Sequence, residues 1–395
     1  MRVSARRRRG LLVPTGLAAV LLAALAGPVS ADADAQAGPA AVPPRPAGPL
    51  QQVVNAIHDT GTVGVLAQVR SPGVRHPARA GTAELGTGQP VPWDGRFRIG
   101  SATKTFTATV MLQLVGEGQL SLDDSVERWL PGAVEGNGHD GRLITVRRLL
   151  QHTSGIPDVL GDIPALNSAA GYRAERLRTY TPQELVALAM RHPAPNKLGV
   201  WSYSNTNYIL AGMIIKKVTG HSWADEVNAR IIGRLGLTKT STPGTSASIP
   251  GAHAHGYRAF GTGTVLDVTE FNPSAVDASG SIISSADDLS RFYTALLDGR
   301  LLEPAELDEM TTTVSAPQLG EGAEYGLGLA KLSLPCGSGS YFTHVGSVSG
   351  YRTQVGVTPD ATRTAVVLAT GDGDEHTQDA IKRLMEQELC RSKIQ

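Results

Sequence analysis

Hydrophobic positions along this chain change period twice. Residues 63–69 are a β-branched apolar run bounded by Gly61 and by Ser71-Pro72-Gly73, which predicts a strand running into a turn. A second strand is expected over 78–85, and 96–100 brings the chain in extended form to Ser101. Over 105–115 the spacing becomes helical, with Phe106, Val110, Met111 and Leu114 repeating and a stop at Gly116. From Leu122 to about Leu237 nearly every segment reads as helix, including 146–150, 182–190, 208–218 and 223–235. Ser285 followed by Asp288 opens another helix, through Leu297. Strand-like runs then return at 325–332, 341–345, 351–357 and 363–368, and 374–390 closes the chain as a helix. Strands at both ends with helices between them predict an α/β layer whose sheet is completed by the C-terminal strands. A mostly helical subdomain is inserted in the middle. The sheet lobe is expected at about 51–115 plus 286–392 and the helical lobe at about 116–285.

The N-terminus has a different character. Arg6 to Arg9 form a basic cluster, 11–27 are apolar, and Ala-x-Ala choices follow at Ala31/Ala33, Ala33/Ala35 and Ala35/Ala37. This is the layout of an export signal, expected over 1–33, and 34–50, rich in Ala, Pro and Gly, reads as a tether to a folded body at 51–392. A retained membrane anchor is the rival reading, but Pro14 and Thr15 interrupt a stretch already short for a span. The expected location is therefore extracellular, on the cell-wall side, with membrane contact only through an uncleaved leader. Lys plus Arg and Asp plus Glu number 36 each in the 395 residues, so the balance of charge gives no footprint for nucleic acid. The two cysteines, Cys336 and Cys390, predict one disulfide in an oxidising compartment, against the alternative of two buried thiols.

Three short constellations carry candidate chemistry. Ser101-Ala102-Thr103-Lys104 places a hydroxyl and an amine one helical turn apart on one face, at a strand-to-helix junction. Apolar turns after Lys104 would bury it, and burial lowers a lysine pKa, which makes the amine a base for the serine. The bland reading is a capping serine with a solvated lysine. Tyr203-Ser204-Asn205 sets a phenol and an amide in an extended segment, projecting to one side, where they relay a proton and hold a carbonyl. A helix cap with a packed tyrosine is the bland alternative. His344-Val345-Gly346-Ser347 lies in a probable strand, where Gly346 would let a substrate backbone approach and His344 and Ser347 would offer a cation or donors.

Together, in this order, the three resemble the serine penicillin-recognising superfamily, whose Ser-x-x-Lys set includes β-lactamases and penicillin-binding proteins. The match is nearest to the exported D-alanyl-D-alanine carboxypeptidases allied to class C β-lactamases. Ser101–Lys104, Tyr203–Asn205 and His344–Gly346 stand for that family's Ser-x-x-Lys, Tyr-Ser-Asn and His-Thr-Gly. The stretches Phe97-Arg98-Ile99-Gly100, His152-Thr153-Ser154-Gly155 and Tyr325-Gly326-Leu327-Gly328-Leu329 are similar too. The resemblance implies a β-lactamase/transpeptidase-like fold, an antiparallel sheet flanked by helices. It also implies Ser101 as acylated nucleophile, Lys104 as its base, Tyr203 as proton relay, and Asn205, His344, Gly346 and Ser347 as substrate-binding residues. The oxyanion would lie between the N–H of Ser101 and that of Ser347 or Ser349. The implied substrate is a peptidoglycan stem peptide or another small acyl compound. β-Lactams are the implied covalent inhibitors, the protein is expected to be a monomer, and no cofactor is implied.

The pattern departs from the family at Val345, where the carboxypeptidases have a threonine whose hydroxyl helps to hold a terminal carboxylate. Ser347, Lys331 or Arg352 would have to compensate. An esterase or a β-lactamase of the same fold is therefore an alternative, and a non-catalytic penicillin-binding sensor is the alternative of another class. His253 and His255 have no suitably spaced third ligand, so no metal site is expected. The chain has no Gly-x-Ser-x-Gly elbow, which weighs against an α/β-hydrolase triad.

Overall fold

The apolar runs from the two ends of the sequence meet in one sheet. In the computed structural model, which describes residues 48–391 apart from 262 and 338, eight strands pair antiparallel throughout. They are β1 (Gly64–Ser71), β2 (Val74–Gly81), β3 (Val314–Ser315), β4 (Glu324–Tyr325), β5 (Ala330–Ser333), β6 (Ser340–Val348), β7 (Tyr351–Val357) and β8 (Thr364–Thr370). Their order is β2-β1-β8-β7-β6-β5-β4-β3, so the first strand is sealed into the sheet by the last. The expected export signal at 1–33 lies outside the described residues. So does the expected tether except for residues 48–50, of which Pro49 and Leu50 already belong to a helix.

The five longest helices among the described residues are α1 (Pro49–His58), α2 (Thr103–Gly116), α3 (Asn205–Thr219), α4 (Ala286–Leu297) and α5 (Glu375–Cys390). Of these, α1, α4 and α5 lie against the sheet, and α2 and α3 belong to the helical body. On one face α1 and α5 pack Val54, Ile57, Leu384 and Met385 against Val65, Ala67, Val367 and Ala369. On the other face Leu66, Val355, Val366 and Leu368 join the core of the helical body. With both faces covered, every residue of β8 is buried, which is why its sequence runs apolar instead of alternating. A disulfide joins Cys336, in the turn before β6, to Cys390 at the end of α5. Among the described residues no helix is long and apolar enough to cross a membrane.

Three of the expected elements are redrawn in the structure, beyond shifts of one to three residues at the ends of others. The second strand begins at Val74 and ends at Gly81 because Pro72-Gly73 closes a two-residue turn, with Gly73 at φ +72° and Ser71 opposite Val74. The expected strand over 325–332 is split into β4 and β5. Gly328, at φ +83°, turns the chain so that Leu327 and Leu329 enter the core. The expected helix over 223–235 is α-helical at Trp223–Val227 and widens to a π-helical stretch at Asn228–Gly233.

Helix α2 is buried on almost every side. Phe106, Val110, Met111 and Leu114 are enclosed, but so are Thr103, Thr105, Thr107 and Thr109. Three of these hydroxyls find acceptors, Thr105 donating to Gly328 O at 2.8 Å, Thr107 to Ala278 O at 2.8 Å and Thr109 to Thr105 O at 2.7 Å, while Thr103 accepts from Ile282 N at 3.2 Å. A helix built this way can hold Lys104 away from water.

Candidate active site

The backbone around Ser101 is set by two glycines facing each other. Ser101 sits in a 3-10 turn, Gly100–Ala102, that leads into α2. Gly100 has φ +51°, and a Cβ there would stand 2.7 Å from the backbone nitrogen of Ser347. A Cβ on Gly346 would stand 1.9 Å from Ile99 O and 3.1 Å from the nitrogen of Ser101. The turn and β6 therefore touch backbone to backbone, which brings the N–H groups of Ser101 and Ser347 to one place. Gly346 makes room for the Ser101 turn itself, a reason different from the substrate approach read from the sequence.

Lys104 is fully enclosed, at 0% exposure, so it is not the solvated lysine of the bland reading. Its Nζ lies 3.1 Å from Ser101 Oγ, 2.6 Å from Asn205 Oδ1 and 2.9 Å from Ser279 O. Burial pushes its pKa down to about 7, with the Asp158 carboxylate pulling the other way. A neutral amine has two hydrogens and one lone pair. Asn205 Oδ1 and Ser279 O only accept, so they take both hydrogens and leave the lone pair for the proton of Ser101.

Tyr203 closes the other side of Ser101, its phenol near enough for the serine hydroxyl to act on it and its ring centroid 4.8 Å from Lys104 Nζ. Burial raises the phenol's pKa above the usual tyrosine value, so it stays protonated. Asn205 is the first residue of α3, one step beyond the extended Ser204. Its Nδ2 donates to Asp158 Oδ2 at 2.9 Å, which fixes the amide so that Oδ1 faces Lys104.

The segment that carries Tyr203 and Asn205 is stitched to the loop at 152–158. Ser204 and Thr206 donate to Pro157 O at 3.0 and 2.7 Å, and Ser154 donates to Asn207 Oδ1 at 2.6 Å. His152 accepts at Nδ1 from Ser204 N at 3.2 Å and from the Asn207 amide at 3.1 Å. Burial holds its pKa well below the usual range, so its ring is a neutral wall 4.3 Å from that of Tyr203. Asp158 and His152 were missed as site residues by sequence reasoning. Their signal was the His152-to-Gly155 stretch, read only as a likeness.

His344 does not supply a cation. Burial, with Lys104 nearby, pushes its pKa down to about 3. The neutral ring donates from Nδ1 to Val345 O at 2.8 Å and faces the Tyr325 hydroxyl at 3.1 Å. Side chains of β6 alternate, so Val345 and Ser347 point to the opposite face, and Val345 is 46% exposed. Lys331 is paired with Glu324 at 3.2 Å. Arg352 stands opposite Ser347 across the β6–β7 hairpin and lines the cleft beyond it. Away from the site, His255 bonds Asp267 at 2.7 Å beside His253, and no group of three potential metal ligands occurs among the described residues.

A serine hydrogen-bonded to a buried amine, where an antiparallel sheet meets a helical body, defines a serine–lysine site of acyl-transfer type. The family model described as Beta-lactamase matches residues 50–388, and the chain belongs to that family. Curated relatives include penicillin-binding protein 4* of Bacillus subtilis (strain 168), 28% identical over 321 residues, with 78% of this chain and 67% of that protein covered. Penicillin-binding protein 4 of Amycolatopsis lactamdurans is 31% identical over 236 residues, covering 60% and 59%. The chain thus spans about three fifths to two thirds of the length of these relatives. Among solved structures, a D-stereospecific amidohydrolase from Streptomyces sp. is 42% identical with TM-score 0.79, covering 87% of this chain and 98% of that one. The D-amino acid amidase of Ochrobactrum anthropi SV3, complexed with L-phenylalanine amide, is 29% identical with TM-score 0.74 over the same shares.

Proposed function

We propose that this protein is an exported serine amidohydrolase that transfers D-configured acyl groups from amides to Ser101 and then to water. The observation that carries the reading is the buried Lys104 amine, 3.1 Å from Ser101 Oγ, with both of its hydrogens engaged elsewhere. In this mechanism Lys104 takes the serine proton as Oγ attacks the carbonyl carbon. The oxyanion rests between the N–H groups of Ser101 and Ser347. Tyr203 hands a proton to the departing amine and is refilled by the one Lys104 holds, while Asn205 steadies the acyl amide. Water later cleaves the ester, giving its proton to the now neutral Lys104, which returns it to Ser101. β-Lactams acylate the same serine. The disulfide supports export, since such bonds persist in oxidising compartments.

The nature of the leaving group separates amidase from carboxypeptidase. A carboxypeptidase holds the carboxylate of the departing residue near position 345. Here that side chain is valine, Lys331 is committed to Glu324 and His344 is uncharged. Uncharged leaving groups fit this end of the site better, in keeping with the D-amidohydrolase neighbours. The second reading, a D-alanyl-D-alanine carboxypeptidase of peptidoglycan stem peptides, draws its support from the penicillin-binding relatives.

Intact-protein mass spectrometry with product analysis tests this, using D-phenylalanine amide, its L-enantiomer, a D-Ala-D-Ala peptide and benzylpenicillin. The expected outcome is turnover of the D-amide over the L-amide and the dipeptide, with a penicilloyl adduct on Ser101. Faster cleavage of the D-Ala-D-Ala peptide would favour the second reading. Absence of any adduct on Ser101 would overturn both.

A further inference from the structure

The cleft that opens past Ser347 is lined by a cation, Arg352, that no described residue pairs with. Its volume is about 390 Å³, and its walls include Ser347, Ser349 and Arg352 from the β6–β7 hairpin, Leu160 and Asn167 from the segment after Asp158, and Asp372. Two of its charges are matched to each other. Arg258 donates to Leu166 O at 2.8 Å and lies 3.8 Å from Asp372, whose other oxygen accepts from Ala259 N at 2.5 Å. Arg352 is half-buried and makes no hydrogen bond or ion pair with any described residue. The charge that acts on it from a distance is Asp374, which is occupied in capping α5 through Thr377 N at 3.0 Å. The Arg352 nitrogens still reach solvent, and a planar carboxylate entering the cleft is the group that such a fork of donors binds best.

The cleft also lies where one arm of a substrate must go. The β5–β6 ladder ends at the Ala330–Thr343 pair, so from His344 to Val348 that edge of β6 has no strand beside it. An extended substrate on this edge, with its carbonyl at Ser101, runs one way toward Val345 and the other way past Ser347 into the cleft. On the acyl-enzyme reading above, the leaving group lies toward Val345, and the acyl arm therefore enters the cleft. We propose that this cleft is the subsite for the acyl arm and that Arg352 holds a carboxylate there, so that preferred acyl donors are D-configured amides whose acyl arm ends in an acid group.

The test uses the full chain with Ser101→Ala, which binds without turnover, and two ligands that differ in one group. N-glutaryl-D-alanine amide carries the terminal acid, and its partner has that acid converted to a carboxamide. Calorimetry should show the acid binding about tenfold tighter, as one charge-assisted contact allows. The ratio should fall toward one when Arg352→Gln is added and be partly kept by Arg352→Lys. In the Arg352-intact protein alone, the ratio should also shrink as salt is raised. Equal affinities for the two ligands, binding of neither, or a ratio that survives Arg352→Gln would overturn the proposal. Mass spectrometry of the wild-type protein with the carboxamide ligand separately reports acylation of Ser101. A missing adduct with the ratio intact would count against the acyl-enzyme reading and leave the subsite standing.

Discussion

At Lys104 the two neighbours that only accept, Asn205 Oδ1 and Ser279 O, decide which way the amine's lone pair points, and burial, opposed by Asp158, decides how readily the proton leaves. Since burial sets that pKa at about 7, acylation should rise with pH through about 7 and level off above it, where the amine is neutral. Asp158 raises the lysine's pKa, so Asp158→Asn, which keeps the shape and removes the charge, should move this rising limb to lower pH. The kcat/KM profile for amide hydrolysis reads the shift, and an unmoved limb would detach Asp158 from the base. Lys104→Arg should lower kcat/KM by about 10²- to 10⁴-fold, because a guanidinium does not give up its proton at these pH values. Retention of most activity would mean that another group deprotonates Ser101.

Among the elements, the contact between the Ser101 turn and β6 is the most sensitive to a single atom. Gly346→Ala would drive a methyl group into Ile99 O, so either the turn or the strand must give way. Overpacking of this kind costs about 1–3 kcal/mol, and the displaced oxyanion site should cost activity beyond what the lost stability explains. Comparison of denaturant midpoints with acylation rates separates the two losses. This contact also shows where a sequence stops being readable. The helix after Ser101 was plain from Phe106, Val110, Met111 and Leu114, and the partners Ser101, Lys104, Tyr203 and Asn205 were found by pattern. That Gly346 faces Gly100 depends on how β6 crosses the turn, and no local spacing encodes it. Asp158 escaped for a similar reason, since it meets Asn205 across 47 residues through a loop of irregular backbone. His344 was read as a cation or a donor, and the enclosure that leaves only the donor, by keeping the ring neutral, arises only in the folded core.

For the molecule as a whole, the division into strands at both ends and helices between was legible because buried strands and enclosed helices have different apolar periods. Strand order was not, since the closing of β1 against β8 is a matter of long-range pairing. The same architecture gives the Cys336–Cys390 bond an importance beyond stability. It ties the turn feeding β6 to the last helix across 54 positions of sequence, so cutting it should lower global stability by about 2–4 kcal/mol. Because that turn leads straight into the strand carrying Ser347, treatment with dithiothreitol should abolish amide turnover before the far-ultraviolet dichroism changes. Simultaneous loss of both signals would show that the bond merely braces the fold. An enzyme wired in this fashion would remain silent in a reducing cytoplasm and begin work only after oxidation, making its own maturation a checkpoint against premature hydrolysis.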